Sequence, residues 1–220
     1  EFVPRPYQHQ IVDHIIRVPR CAVWAGMGMG KTVATLTAID ALTLAGAVDK
    51  VLVVAPLRVA RTTWPEEPPK WNHLKHLRVV PIVGTPAERK AALIEDAQVF
   101  TVNYEILPWL VSHWQYAWPY SMVVLDEATK LRSARIQQGS KRAAELQTII
   151  YTKVDRVVEL TGTPAPSGLE SLYGQMLLLD RGQRLGRTYT AFENRWFGFQ
   201  RAQDAVSNGR NYVKRIAFPH

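Results

Sequence analysis

Three short stretches of the 220-residue sequence carry side chains whose types and spacing suit phosphate chemistry. The first is Ala25-Gly26-Met27-Gly28-Met29-Gly30-Lys31-Thr32. Its glycines let backbone N–H groups turn toward phosphate oxygens, its lysine is placed to reach the β- and γ-phosphates, and its threonine hydroxyl suits magnesium. A helix opening at this point adds the positive end of its dipole. Ala25 stands where the strict phosphate-loop pattern has glycine. The second stretch, Met122-Val123-Val124-Leu125-Asp126-Glu127, puts two acids at the end of an apolar run, 95 positions beyond Lys31. Asp126 suits magnesium held mostly through water, and Glu127 suits polarising an attacking water, which points to hydrolysis rather than transfer to a small acceptor. The third, Leu160-Thr161-Gly162-Thr163-Pro164, offers two hydroxyls on a tight turn, placed to contact Glu127 and report on a γ-phosphate. A turn chosen for backbone shape explains those last residues equally well.

Such groups act together only if one scaffold gathers them, and the sequence predicts an α/β fold carrying a phosphate loop, a mostly parallel sheet with helices on both faces. Val51 to Ala55 is an unbroken apolar run, the mark of a strand covered on both faces. Further strands are expected at Cys21 to Trp24, which reads as short and buried, and at Leu77 to Val83, Gln98 to Val102, Ser121 to Leu125 and Arg156 to Leu160. Helices are expected at Tyr7 to Arg17, Thr32 to Leu44 (ended by Gly46), Pro86 to Asp96, Glu105 to His113, Gln137 to Thr148 and Leu169 to Leu179. Pro65, Pro68 and Pro69 should break any helix begun at Val59 and leave a surface turn. Strand ends carrying Asp126 and Thr161 would then lie at the carboxyl edge of the sheet, where open α/β folds bind ligands.

Composition narrows the classes. A hydrophobic share of 47% and a charged share of 21% exclude disorder and fibrous repeats. No apolar run is long enough to span a membrane, and the amino end lacks a signal-peptide plan, so a soluble protein that is not exported is expected, cytoplasmic or, in a eukaryote, nuclear. A lone cysteine, Cys21, excludes an internal disulfide and reads as a small buried hydrophobe. His73 and His76 lack a third ligand nearby, and Trp109, Trp114 and Trp118 read as packing residues. The net charge is +8, and residues 181–220 carry +6 of it. That segment reads as a basic extension after a sheet domain spanning residues 1–180, with Gln183 to Arg187 as a linker. A polyanion such as DNA is a fitting partner, bound in a salt-sensitive way.

Taken in order, Arg5-Pro6-Tyr7-Gln8, the Gly-Met-Gly-Met-Gly-Lys-Thr loop, Val53-Val54-Ala55-Pro56, Val102-Asn103-Tyr104-Glu105, Asp126-Glu127-Ala128-Thr129 and the run from Leu160 to Tyr173 resemble the first motor domain of Swi/Snf-type ATPases of helicase superfamily two. The resemblance covers residues 5 to about 180. It implies ATP and magnesium as cofactors, with Gln8 reading the adenine edge and Gly26, Gly28, Gly30, Lys31 and Thr32 holding the phosphates. It further implies Thr32 and Asp126 on magnesium, Lys31, Asp126 and Glu127 in catalysis, and Thr161 and Thr163 in coupling. Pro56, Arg58, Asn103 and Tyr104 fall where the family touches the phosphate backbone of its track, which is DNA or, alternatively, RNA. Contacts of that kind carry no base information. Thr129 replaces a histidine often found in the superfamily. Compact spacing between the motifs suits a phage or bacterial protein.

The superfamily cleaves ATP between two RecA-like lobes, and the second supplies arginine fingers that this sequence does not match. Nucleotide binding with little turnover is therefore expected of residues 1–220. Two other readings compete with it. One is a different phosphate-loop enzyme acting on a non-nucleic-acid substrate, which would need a transporter signature or an acceptor lid that the sequence lacks. The other is a nucleic-acid-binding module without turnover, against which the intact Lys31, Thr32, Asp126 and Glu127 argue.

Overall fold

The computed structural model describes residues 3–128, 141–165, 168–201 and 213–217. Six strands, β1 (Arg20–Trp24), β2 (Val51–Ala55), β3 (Val79–Ile82), β4 (Val99–Asn103), β5 (Met122–Asp126) and β6 (Arg156–Thr161), form one sheet in the order β1-β6-β5-β2-β4-β3. Every pairing in it is parallel. Successive residues of β2, β4 and β5 are all buried because helices cover both faces.

Alternate side chains feed two cores. Val51, Val53, Val99, Met122 and Val124 pack with Ile11 and Ile15 of α1 (Pro6–Arg17) and with Val33, Leu36 and Ile39 of α2 (Lys31–Leu44). Leu52, Val54, Phe100, Val102, Val123 and Leu125 face the opposite layer. There they meet α4 (Pro86–Leu93), α5 (Leu107–Trp114), α6 (Lys141–Thr152) and α7 (Leu172–Asp180) through Ala92, Leu110, Ile150, Met176 and Leu179. Gly46 follows α2 at φ +69°, as expected of its stop. Of the helix expected from Gln137, the described part begins at Lys141 and runs to Thr152, while residues 137–140 and Thr129 lie outside the described residues.

The structure corrects two sequence expectations. First, β1 is an edge strand rather than a covered one, and its last residue, Trp24, is 52% exposed. Second, the proline-rich stretch is no surface turn. A π-helical turn over Val59–Thr63 runs into α3 (Trp64–Glu66), straight through Pro65, and Trp64 is fully buried. The Trp64 N–H bonds the Val59 carbonyl, so the next bond in that register would come from Pro65, which has no N–H, to Ala60. The Thr101 hydroxyl of β4 donates to the Ala60 carbonyl instead, at 2.6 Å. The chain turns away only after Pro68–Lys70, at the extended Trp71.

Beyond α7 the Asp180 carboxylate accepts the N–H groups of Gly182, Gln183 and Arg184, building a turn where a linker was expected. Helix α8 (Tyr189–Trp196) follows, then an antiparallel pair, β7 (Phe197–Arg201) with β8 (Val213–Ala217). Phe192 and Phe197 form a third cluster with Tyr173 of α7, so this part of the basic extension is packed against the lobe.

Candidate functional site

All three chemical stretches end on adjacent strands at one edge of the sheet. The glycine loop follows β1, the Thr161 turn follows β6, and Asp126-Glu127 closes β5. The central strand carries both outer loops: Ala25 N–H donates to the Thr161 carbonyl at 3.1 Å, and Ala128 N–H to the Leu160 carbonyl at 3.1 Å.

Gly28 and Gly30 sit at φ +76° and +69°, backbone that side chains rarely adopt. A Cβ at Gly30 would stand 2.4 Å from the Gln8 amide nitrogen and would displace that side-chain end. Gly30 caps the 14-residue helix α2, and Lys31 and Thr32 form its first turn. The Lys31 ammonium donates to the carbonyls of Ala25 and Gly26, at 2.8 and 2.9 Å. Gln8, in the first turn of α1, accepts from Arg5 N–H through its Oε1 and directs its Nε2 to the Met29 carbonyl at 3.4 Å. A glycine loop opening a helix, with a lysine held at its mouth, fits a polyphosphate.

Asp126 is nearly buried, and both of its carboxylate oxygens have donors. The Trp64 indole N–H reaches Oδ2 at 2.9 Å, and the Glu127 N–H reaches Oδ1 at 3.0 Å. Burial pushes the Asp126 carboxyl above the usual carboxylate range. The Trp64 hydrogen bond pulls it back, the Glu127 charge raises it, and the Lys31 ammonium favours the charged form. Glu127 takes positive φ, +54°, a strained conformation for a non-glycine residue. Thr161 is buried, and its hydroxyl accepts the Thr163 N–H at 3.1 Å, a bond within the turn rather than to Glu127.

Pro56 and Arg58 follow β2 on the same edge, with Arg58 exposed. Asn103, the last residue of β4, and Tyr104, just beyond it, are buried. Asn103 donates to Glu105 at 2.6 Å, and the Tyr104 hydroxyl donates to the Asp126 carbonyl at 2.6 Å. Burial, with the neighbouring carboxylates, holds the Tyr104 phenol well above its ordinary range, so it stays a donor.

Other sequence candidates have structural partners. His73 bonds the Thr37 hydroxyl and His76 the Asp40 carboxylate, pinning their loop to α2. Cys21 is buried, and burial pushes its thiol up to about 11. Sequence reasoning missed two residues. One is Trp64; the other is Glu159, wholly buried in β6 with neither carboxylate oxygen hydrogen-bonded among the described residues. The signal for Glu159 was an acid inside the apolar run Val157 to Leu160.

The sheet order and the gathering of these loops at its carboxyl edge define a RecA-like α/β lobe. More narrowly, the chain belongs to the SNF2-related domain family, whose model matches residues 17–216. It is 53% identical over 198 residues to "Putative protein p41" of Acyrthosiphon pisum secondary endosymbiont phage 1, covering 89% of this chain and 43% of that protein. It is 30% identical over 174 residues to the mouse "DNA excision repair protein ERCC-6-like", covering 74% of this chain and 13% of that protein. The chain thus spans less than half of either relative. Among solved structures its fold is similar to the Sulfolobus solfataricus SWI2/SNF2 ATPase core in complex with dsDNA. That match has a TM-score of 0.70 at 24% identity and covers 89% of this chain and 39% of that one. The UvsW helicase of bacteriophage T4 is similar with a TM-score of 0.60 at 14% identity, covering 81% of this chain and 58% of that one. No helix among the described residues is long and apolar enough to cross a membrane.

Proposed function

We propose that this chain is the ATP-binding lobe of a nucleic-acid-dependent ATPase of the translocase type, which binds MgATP and the phosphate backbone of DNA. The observation that carries the reading is the convergence of the Lys31 loop, the Asp126-Glu127 strand end and the Thr161 turn on β1, β5 and β6. The segments after β2 and β4 continue the same edge. Residues 1–180 form the lobe, and residues 181–220 lead toward a second RecA-like lobe.

In this reading the backbone N–H groups of residues 26–31 hold the phosphates, and Lys31 exchanges its two carbonyl partners for phosphate oxygens. Gln8 meets the adenine edge. Thr32 and Asp126 hold magnesium. Glu127 orients the attacking water and takes its proton, while Thr161 and Thr163 pass the state of the site to the rest of the chain. Bound MgATP supplies the phosphoanhydride bond and the charge neutralisation that its cleavage needs. Pro56 and Arg58 mark the side facing the track, with Asn103 and Tyr104 buried behind it. Turnover requires cationic groups from the second lobe.

Fluorescent ATP-analogue titration of residues 1–220 tests the proposal. Binding should require magnesium for full affinity, and Lys31→Ala should weaken it at least about tenfold without lowering the melting midpoint. Steady hydrolysis stimulated by DNA in this chain alone would refute the need for a second lobe. Equal affinity of the wild-type chain and the Lys31→Ala variant would refute the site.

A further inference from the structure

Asp126 stands at the seam between the two halves of the sheet edge. On one side lie β6 and β1 with the glycine loop; on the other lie β2 and β4, each leading into a segment assigned above to the track. Both of those segments send a buried donor back to this one residue. From the segment after β2, the fully buried Trp64 gives its indole N–H to Oδ2. From the segment after β4, Tyr104 gives its hydroxyl to the Asp126 main-chain carbonyl. The remaining donor, the Glu127 N–H, belongs to the strand end itself and takes Oδ1.

This arrangement does more than fill space. An indole wedged in a core needs a partner for its N–H, but any carbonyl or water serves that purpose. Here the partner is the carboxylate, and the bond fixes which way its two oxygens face. Donors behind a metal-binding carboxylate set its orientation, and their loss typically weakens metal binding by one to two orders of magnitude.

The rigid link also has a definite origin. Trp64 is carried by the π-turn and α3, a segment that begins at Arg58 and is tied to β4 by the Thr101 hydroxyl. A shift of the Pro56-Arg58 turn therefore moves the indole, and with it the only side-chain donor to the Asp126 carboxylate among the described residues.

We propose that Trp64 is a positioning residue for the Asp126 carboxylate, and that Trp64 and Tyr104 together transmit engagement of the nucleic-acid backbone to the magnesium-binding group. The proposal rests on the function given above and deepens it. Metal affinity of the site should respond to DNA, and that response should pass through the indole N–H.

The test measures ATP-analogue affinity in EDTA and across a magnesium titration, with and without duplex DNA. It compares the wild-type chain with Trp64→Phe, which keeps an aromatic ring and removes the donor, and with Tyr104→Phe. The expected result for Trp64→Phe is unchanged affinity in EDTA, a magnesium midpoint raised about tenfold, and loss of the DNA-induced shift in that midpoint. Tyr104→Phe should show a smaller change in the same direction. A purely structural role would lower the EDTA affinity and the melting midpoint together and leave the magnesium requirement alone; that result overturns the proposal. So does a wild-type midpoint indifferent to DNA. If Trp64→Phe fails to fold, Tyr104→Phe decides the matter, and an unchanged magnesium midpoint in that variant overturns the relay. Failure of the wild-type chain to bind nucleotide at all refutes the underlying function instead, and is recognised because it needs no variant.

Discussion

Glu159 gives a prediction that can be worked through in numbers. Its side chain is wholly buried in β6, it has no hydrogen-bond partner among the described residues, and burial raises its carboxyl well above the ordinary range. The folded protein therefore keeps a proton on Glu159 at pH values where the unfolded chain, titrating near its usual value of about 4.3, has lost it. Over that window the native state binds one more proton than the unfolded state, so stability falls as pH rises. The slope is about 1.4 kcal/mol per pH unit for one proton, and it persists until the folded carboxyl itself ionises. Glu159→Gln and Glu159→Leu remove the term. Urea unfolding followed by far-ultraviolet circular dichroism should show the wild type losing stability relative to either variant as pH rises above about 5, with a slope approaching about 1.4 kcal/mol per pH unit. Below about pH 3 the difference should become constant, because both states are then protonated. The variants carry their own packing offsets, but an offset does not change a slope. Parallel stability curves for wild type and variants over the whole range would show that Glu159 is solvated or paired, and the reasoning would fail.

Two other substitutions test specific contacts. Gly30→Ala combines a left-handed backbone, costing about 1–2 kcal/mol, with a Cβ driven into the Gln8 amide. It should lower the thermal midpoint and abolish ATP-analogue binding, whereas Gly46→Ala, also left-handed but open to solvent, should lower the midpoint only. Thr101→Val keeps the shape of a buried strand residue but leaves the Ala60 carbonyl without its donor. Denaturant titration should show a loss of about 1–3 kcal/mol, and an unchanged midpoint would mean that the π-turn does not depend on that bond.

The strands were legible because parallel strands covered on both faces must be apolar at successive positions, and Val51 to Ala55 or Met122 to Leu125 admit little else. The glycine loop was legible because positive φ and phosphate approach both select glycine. Strand order was not. Nothing local to residues 156–161 says that they insert between β1 and β5, and that insertion brings Thr161 beside both other stretches. The proline-rich stretch was misread for a physical reason. The rule against helical proline assumes a lost bond with no replacement, and the replacement came from Thr101, far along the chain. Trp64 shared that fate, since a residue assigned to a surface turn offers no reason to look for a partner at Asp126. In the site itself, the residue types were readable, while their partners in this structure, such as the carbonyls holding Lys31, depend on tertiary placement.

The edge position of β1 bears on how the molecule is made. Within the sheet, β1 hydrogen-bonds only to β6, which lies more than a hundred residues downstream. On a ribosome, β2, β4 and β3 can pair with one another and then with β5 while β1 still has no strand beside it. The glycine loop thus acquires its final frame only once residue 161 has emerged, and closing so long a stretch of chain is a slow, non-local event. A nascent chain cut short before β6 would retain most of the sheet and lack the Ala25–Thr161 bond that frames the glycine loop, so the form of that loop reports completion of the sheet.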